Sequence, residues 1–296
     1  MNALSALIIC PLAATSVGGA GNAGSTDGAS SAANIDDANN LAEFDQLSPS
    51  PAFDFTVAVD GGAAWFYAQD IVPHFAVGDF DSLDRKTLKW LEASSAKIKR
   101  VSSDKEFSDL ELALEICEEQ NVCSATIIGA IGGRLDHQLC VLGAVNRSAL
   151  SELTLVCASQ SAGKSQVQNV GKDEGSGQNK NQNQSESYRQ TIRVLREGQD
   201  FTFDSSKSSP IDGSLALDSS SLVDVKTFSV ISLQGAVVSI SGSRWDLDHK
   251  KLEPLSSLGL SNERWSNSAT SIPATTANSA TPTTITVHEG TALLLY

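Results

Sequence analysis

Apolar residues in the first half of the chain fall into short unbroken runs. Residues 6–10, 56–59, 75–77, 97–101, 125–129 and 153–158 read as strands, and the most uniformly apolar of them as strands buried on both faces. Between them the period changes. Residues 63–69 form a short helix, closed by Pro73. Leu83, Thr87, Leu88 and Leu91 make the face of a second helix. Leu110, Ala113, Leu114 and Cys117 make a third, and Leu135, Leu139, Leu142 and Val145 a fourth. Alternating strand and helix with short links predicts an α/β fold, a parallel sheet covered on both faces by helices. Past residue 190 the helical period disappears. Residues 192–195, 227–233, 236–240, 284–288 and 292–296 read as strands, with Gln234-Gly235 and Glu289-Gly290 as hairpin turns.

Polar low-complexity stretches divide these patterns. Residues 14–50 are rich in Ala, Gly, Ser and Asn, and residues 159–190 in Gln, Asn, Ser and Gly. The predicted organisation is an α/β domain over 1–158 with a flexible insertion at 14–50, a linker over 159–190, and an all-β domain over 191–296. Further polar insertions fall near 205–221 and 266–283.

Charge narrows the function. The 296 residues carry a formal net charge of −14. Bulk electrostatics then argue against nucleic acid and against an anionic membrane as partners. A polyphosphate ligand would need local cations or a bridging metal. The five cysteines form no C-x-x-C pair and no zinc spacing, which reads as free thiols in a reducing, cytoplasmic setting. No apolar run reaches the length of a membrane span. Residues 1–14 resemble a secretory signal but lack a basic start and are interrupted by Pro11, so residues 6–10 are read as the first strand.

The candidate chemistry lies where strands end. Gly78-Asp79-Phe80-Asp81-Ser82 places two carboxylates at i and i+2 between a strand and a helix. Clustered anions repel, and a hard divalent cation with oxygen ligands relieves that repulsion. The competing reading is a polar loop with Asp81 or Ser82 as helix N-cap. Asp60-Gly61-Gly62 ends another strand, with glycines suited to a sharp turn and close backbone approach. In Lys105-Glu106-Phe107-Ser108-Asp109, Ser108 and Glu111 form a capping box, so Asp109 sits in the first turn of a helix. Gly132-Gly133-Arg134-Leu135-Asp136-His137 follows a further strand. Ligands of such sheets bind outside the carboxyl ends of the strands. Gly163-Lys164-Ser165 imitates the end of a phosphate loop, but no helix follows to complete the cradle, and it is rejected.

These motifs, with Trp245-Asp246-Leu247 and Ser261-Asn262-Glu263 in the β-rich part, resemble the thiamine pyrophosphokinase family in order and approximate spacing. The likeness covers the chain outside its low-complexity insertions. Glu106 and Ser108 stand where the family usually has Asp and Thr, and Val141 where it frequently has Asn. The resemblance implies an α/β/α nucleotide-binding domain, a sandwich-like thiamine-binding domain, and a homodimer with active sites between subunits. It implies transfer of the pyrophosphoryl group of ATP to the thiamine hydroxyl. Asp79, Asp81 and Asp109 would hold Mg2+. Asp60 and Glu106 would complete its shell through water. Lys105 and Arg134 would bind phosphate, and the backbone at Gly132 and Gly133 would approach an oxyanion, with Gly61, Gly62 and Ser108 in the same nucleotide site. Asp136 would orient the thiamine hydroxyl or accept its proton. His137 is either a member of the site or structural. Trp245 would stack on a thiamine ring and Ser261 and Asn262 would hydrogen-bond it. Two alternatives stand beside this reading: a pyrophosphokinase acting on a pterin-like alcohol, and a non-catalytic protein that binds thiamine or its diphosphate.

Overall fold

The structure is a computed structural model that describes residues 3–11, 53–101, 107–157, 190–203, 225–264 and 282–296. The strands of the first half are β1 (Leu4–Ile9), β2 (Phe55–Val59), β3 (Phe75–Gly78), β4 (Lys97–Arg100), β5 (Val122–Ile128) and β6 (Glu152–Cys157). All neighbours among them pair in parallel, in the order β6-β5-β1-β2-β3-β4. β2 is buried along its whole length, as its unbroken apolar run requires.

Two helices cover each face. α1 (Ala63–Ala68) and α2 (Arg85–Ala93) enclose one core, centred on Trp65, Phe66 and Leu91. α3 (Asp109–Glu119) and α4 (Leu135–Arg147) enclose the other, with Leu110, Leu114, Val141 and Val145 against the sheet. The α4 face differs from the expected one. Leu135 and Leu139 are 71% and 53% exposed, whereas Val141, Ala144 and Val145 are buried. The first turns of α4 lie clear of the sheet, and the covered stripe is turned by about one residue, so period alone picks the wrong neighbours.

The second half adds β7 (Gln190–Arg196), β8 (Asp200–Phe203), β9 (Thr227–Ile231), β10 (Ala236–Ser241), β11 (Leu247–Leu252), β12 (Asn262–Glu263) and β13 (Thr283–Leu295). β7 joins the first sheet, antiparallel to β6. β13 then joins β7 through its last residues and β10 and β8 through its first. One continuous strand therefore takes the place of the hairpin predicted at Glu289-Gly290. Gln234-Gly235 is not a hairpin turn either: β9 pairs with β12 and β13, and β10 with β11 and β13. The reason lies in a crossing. A Cβ on Gly290 would sit 2.6 Å from the Gly235 carbonyl oxygen, so these glycines permit close passage of two segments.

Arg196 ties β7 to α4. Its guanidinium donates to the carbonyls of Leu150 at 3.0 Å and Ser148 at 2.5 Å, with longer bonds to Val145 and Asn146. The carbonyls of Val145, Asn146 and Ser148 are among those a helix C-terminus leaves unpaired. Burial lowers the Arg196 pKa from its usual value, and the nearby Glu118 carboxylate opposes that shift.

Candidate functional site

The site is built where β2 and β3 end. Asp60 adopts a left-handed backbone at φ 44, and Phe80 does so at φ 61. Both are costly conformations for residues with side chains. What holds them is packing and hydrogen bonding. The Phe80 ring is 2% exposed in the α1–α2 core, with the Arg100 guanidinium 5.6 Å from its centroid. The Phe80 N–H donates to Asp60 Oδ1 at 3.1 Å, and the Ser82 hydroxyl donates to Asp60 Oδ2 at 3.0 Å. With Phe80 turned inward, Asp79 and Asp81 flank it and share one site with Asp60.

Glycines bring the two loops together. A Cβ on Gly78 would lie 2.9 Å from Asp60 Cα, and one on Gly62 would lie 2.0 Å from the Ile9 carbonyl oxygen. Gly61 is wedged between Ser82 and Pro11. The close approach anticipated for Asp60-Gly61-Gly62 is thus made first to neighbouring chain.

Asp60, Asp79 and Asp81 each offer a carboxylate oxygen within 4.8 Å of the others, the one group among the described residues with the geometry to hold a metal ion. Asp79 Oδ1 accepts from the Asp81 N–H at 3.1 Å, which fixes the turn between them. The neighbouring Asp79 charge raises the Asp81 pKa, with smaller contributions from partial desolvation and Asp60. A set of hard oxygen donors whose charges oppose one another fits a hard divalent cation. The N-cap reading of this loop fails. α2 is capped by Asp84, whose Oδ1 accepts from the N–H groups of Lys86 at 2.8 Å and Thr87 at 3.1 Å. Asp81 and Ser82 therefore stand outside the helix start.

Asp109 opens α3, as expected, and is not among the three clustered carboxylates, which are Asp60, Asp79 and Asp81. The Asp109 charge reaches Cys10, whose thiol is pushed far above its usual range chiefly by burial. The capping box is present: Glu111 Oε2 accepts from the Ser108 N–H at 2.9 Å, and Ser108 Oγ accepts from the Glu111 N–H at 3.3 Å. Lys105 and Glu106 lie outside the described residues.

After β5, Gly132 and Gly133 take positive φ values of 137 and 67. Arg134 is the N-cap of α4 and donates from Nε to Asp136 Oδ1 at 3.1 Å, with a second bond between Nη2 and Oδ2. This fork holds the Asp136 carboxyl below its ordinary range. The His137 N–H donates to Asp136 Oδ1 at 2.9 Å, and the His137 side chain is exposed at the helix start.

A second cluster lies between β10 and β11. Asp246 Oδ1 accepts from the Ser243 N–H at 2.9 Å and closes a turn on which Trp245 is 49% exposed. The Arg244 guanidinium lies 4.6 Å from the centre of the Trp245 ring and pairs with Glu263 at 2.8 Å. Ser261 is exposed, at φ 55. Asn262 is 3% exposed, with its amide turned to the Trp245 turn rather than outward. Sequence reasoning missed this orientation, the left-handed turn at Phe80 and the cover of Arg244 over Trp245. Only the adjacency of Arg244 to Trp245 was visible in the chain.

Residues 50–157 match the thiamin pyrophosphokinase catalytic domain, and residues 217–276 match the thiamin pyrophosphokinase vitamin B1 binding domain. These successive matches together span more than half of the chain. The chain belongs to the thiamin pyrophosphokinase family. The carboxylate group falls in the stretch matched to the family's catalytic domain, and the Trp245 cluster in the stretch matched to its vitamin B1 binding domain. A thiamine pyrophosphokinase of Bacillus subtilis is 32% identical over 83 residues, which is 28% of this chain and 39% of that protein. Solved thiamin pyrophosphokinase structures share the fold. That from Candida albicans superposes with a TM-score of 0.54 at 14% identity, covering 98% of this chain and 89% of its own. The yeast one gives 0.55 at 12% identity, covering 100% and 86%.

Proposed function

We propose that this chain transfers the pyrophosphoryl group of Mg·ATP to the hydroxyl of thiamine, giving thiamine diphosphate and AMP. The observation that carries the reading is the convergence of Asp60, Asp79 and Asp81 at adjoining strand ends, in a chain of this family. The hydroxyl oxygen attacks the β-phosphorus. The bond from that phosphorus to the oxygen of the α-phosphate breaks, AMP leaves, and the hydroxyl proton is released. When bound at these carboxylates, Mg2+ neutralises charge on the triphosphate.

The chain's own groups then divide the work. Asp60, Asp79 and Asp81 hold the cation, with Asp109 nearby at the start of α3. Arg134 binds phosphate, and the backbone at Gly132 and Gly133 approaches an oxyanion. Asp136, paired with Arg134, orients the thiamine hydroxyl or accepts its proton. Residues 1–158 form the nucleotide-binding unit and 191–296 the thiamine-binding unit, with Trp245 stacking on the ring and Ser261 bonding to it. The setting is cytoplasmic, a reading supported by the five free thiols.

The active assembly is a homodimer with sites between subunits. Seven strand steps separate β10, which leads into the Trp245 turn, from β3, which leads into Asp79. β10 pairs with the first part of β13 and β7 with its last, so the Trp245 turn and the carboxylates belong to different parts of the fold. Pairing the Trp245 cluster of one copy with the carboxylates of another resolves the separation.

The test is AMP release from Mg·ATP with thiamine, with a pterin alcohol, and with no acceptor. AMP with thiamine alone is expected. AMP with the pterin alone would redirect the reading to another acceptor, and no AMP with any acceptor would leave a binding protein.

A further inference from the structure

The family resemblance gives Asn262 a hydrogen bond to thiamine, but its surroundings assign the side chain another task. Asn262 Oδ1 accepts from the main-chain N–H of Trp245 at 3.2 Å and from that of Glu263 at 2.8 Å. Its Nδ2 donates to the Trp245 carbonyl at 2.8 Å and to Ser243 Oγ at 3.2 Å. A side-chain amide has two donor hydrogens and one oxygen with two lone pairs, and all four are engaged here. At 3% exposure the group sits beneath the turn rather than on its surface.

We infer that Asn262 is a positioning residue: its amide grips the Trp245 peptide at both N–H and C=O, so that the indole is presented as a one-sided platform for a flat cationic heterocycle. This inference rests on the thiamine-binding reading above. The platform is one-sided because the Arg244 guanidinium covers one ring face at 4.6 Å, itself held by Glu263 at 2.8 Å. The two clamps come from one strand. Asn262 and Glu263 are the residues of β12, and the Arg244 N–H donates to the Glu263 carbonyl at 2.8 Å. A two-residue strand thus fixes the Trp245 peptide with one side chain and the ring cover with the next. A planar cation gains by lying on the remaining indole face, but only if that face is held still, since each loose rotamer must be ordered on binding.

The prediction separates binding from chemistry. Asn262→Ala is expected to raise the thiamine Kd, measured by calorimetry on the full chain, by about ten-fold or more. KM for thiamine should rise in parallel, while kcat and KM for Mg·ATP stay within about two-fold. Asn262→Asp keeps the acceptor oxygen but loses both donors, and should fall between wild type and Asn262→Ala. If Asn262→Ala does not fold, the Asp variant decides alone, with a thiamine Kd at least about three-fold above wild type expected. Trp245→Ala serves as the reference for a lost platform. Wild-type thiamine affinity in a folded Asn262→Ala, or in Asn262→Asp, would overturn the inference while Trp245→Ala still binds poorly. A fall in kcat equal to the rise in KM would mark a general structural role and also overturn it. Failure of the wild type to bind thiamine would instead reject the underlying functional reading.

Discussion

The two clusters are made on opposite principles. At the ends of β2 and β3, three carboxylates are held close against their repulsion, on a backbone with two side-chain-bearing residues at positive φ. The Asp81 pKa is raised because the Asp79 charge is not offset. At the Trp245 turn the situation is reversed. Asp246, Ser243 and Asn262 satisfy one another and the backbone, and Arg244 is paired with Glu263. On the proposed function the first cluster would gain from an incoming cation, whereas the second is already satisfied by its own hydrogen bonds and would offer a prepared surface. A site that recognises by charge can store repulsion, and one that recognises by shape must be rigid beforehand.

That contrast can be broken most sharply at Asp79 and Asp81. Asp79→Asn or Asp81→Asn should reduce turnover by about a hundred-fold or more, the scale of losing one electrostatic stabiliser of a transition state. Steady-state AMP release with the fold checked by circular dichroism measures this, and activity near wild type would remove the metal role. Mixing Asp79→Asn with Trp245→Ala comes next. If each site draws on two copies, a heterodimer holds one intact site, and an equal mixture should recover up to about a quarter of wild-type activity. No recovery after subunit exchange would return the site to a single chain.

Stability should respond in the opposite direction to activity. Since Asp81 has a raised folded-state pKa, its contribution to stability is present at low pH and lost as pH rises through that value. Asp81→Asn should therefore raise Tm at neutral pH in a chelator. The gain should vanish below the carboxylate range and shrink in excess Mg2+; a lower Tm under chelator would show that repulsion is not stored there. The smallest effect is expected from deleting residues 165–186, which should leave activity within a few-fold because the stretch is polar and of low complexity. Loss of folding would give that stretch a structural role.

Sequence was most legible where chemistry and chain are local. Thr56, Val57, Ala58 and Val59 read as a buried strand and are one. Ser108 and Glu111 form their capping box within four residues. What escaped depends on partners distant along the chain. Gly235 and Gly290 look like turn residues, yet each serves the passage of the other. β11, with its run Leu247-Asp-His-Lys-Lys-Leu252, sits at the end of the sheet order and is largely exposed, so it shows no apolar alternation. Asp60 lies beside Asp79 and Asp81 on a backbone with positive φ at Asp60 and Phe80, angles that neither residue type announces. Asn262 was recognised as belonging to a motif, but its direction is set by a turn 17 residues earlier.

The central claim is that Asp60, Asp79 and Asp81 act together on one divalent cation. Calorimetric titration of Mg2+ into the wild type, Asp60→Asn, Asp79→Asn and Asp81→Asn in the presence of a non-hydrolysable ATP analogue tests it directly. The account predicts a single Mg2+-dependent binding event weakened at least about ten-fold by each of the three substitutions. Unchanged Mg2+ affinity in all three variants would contradict it.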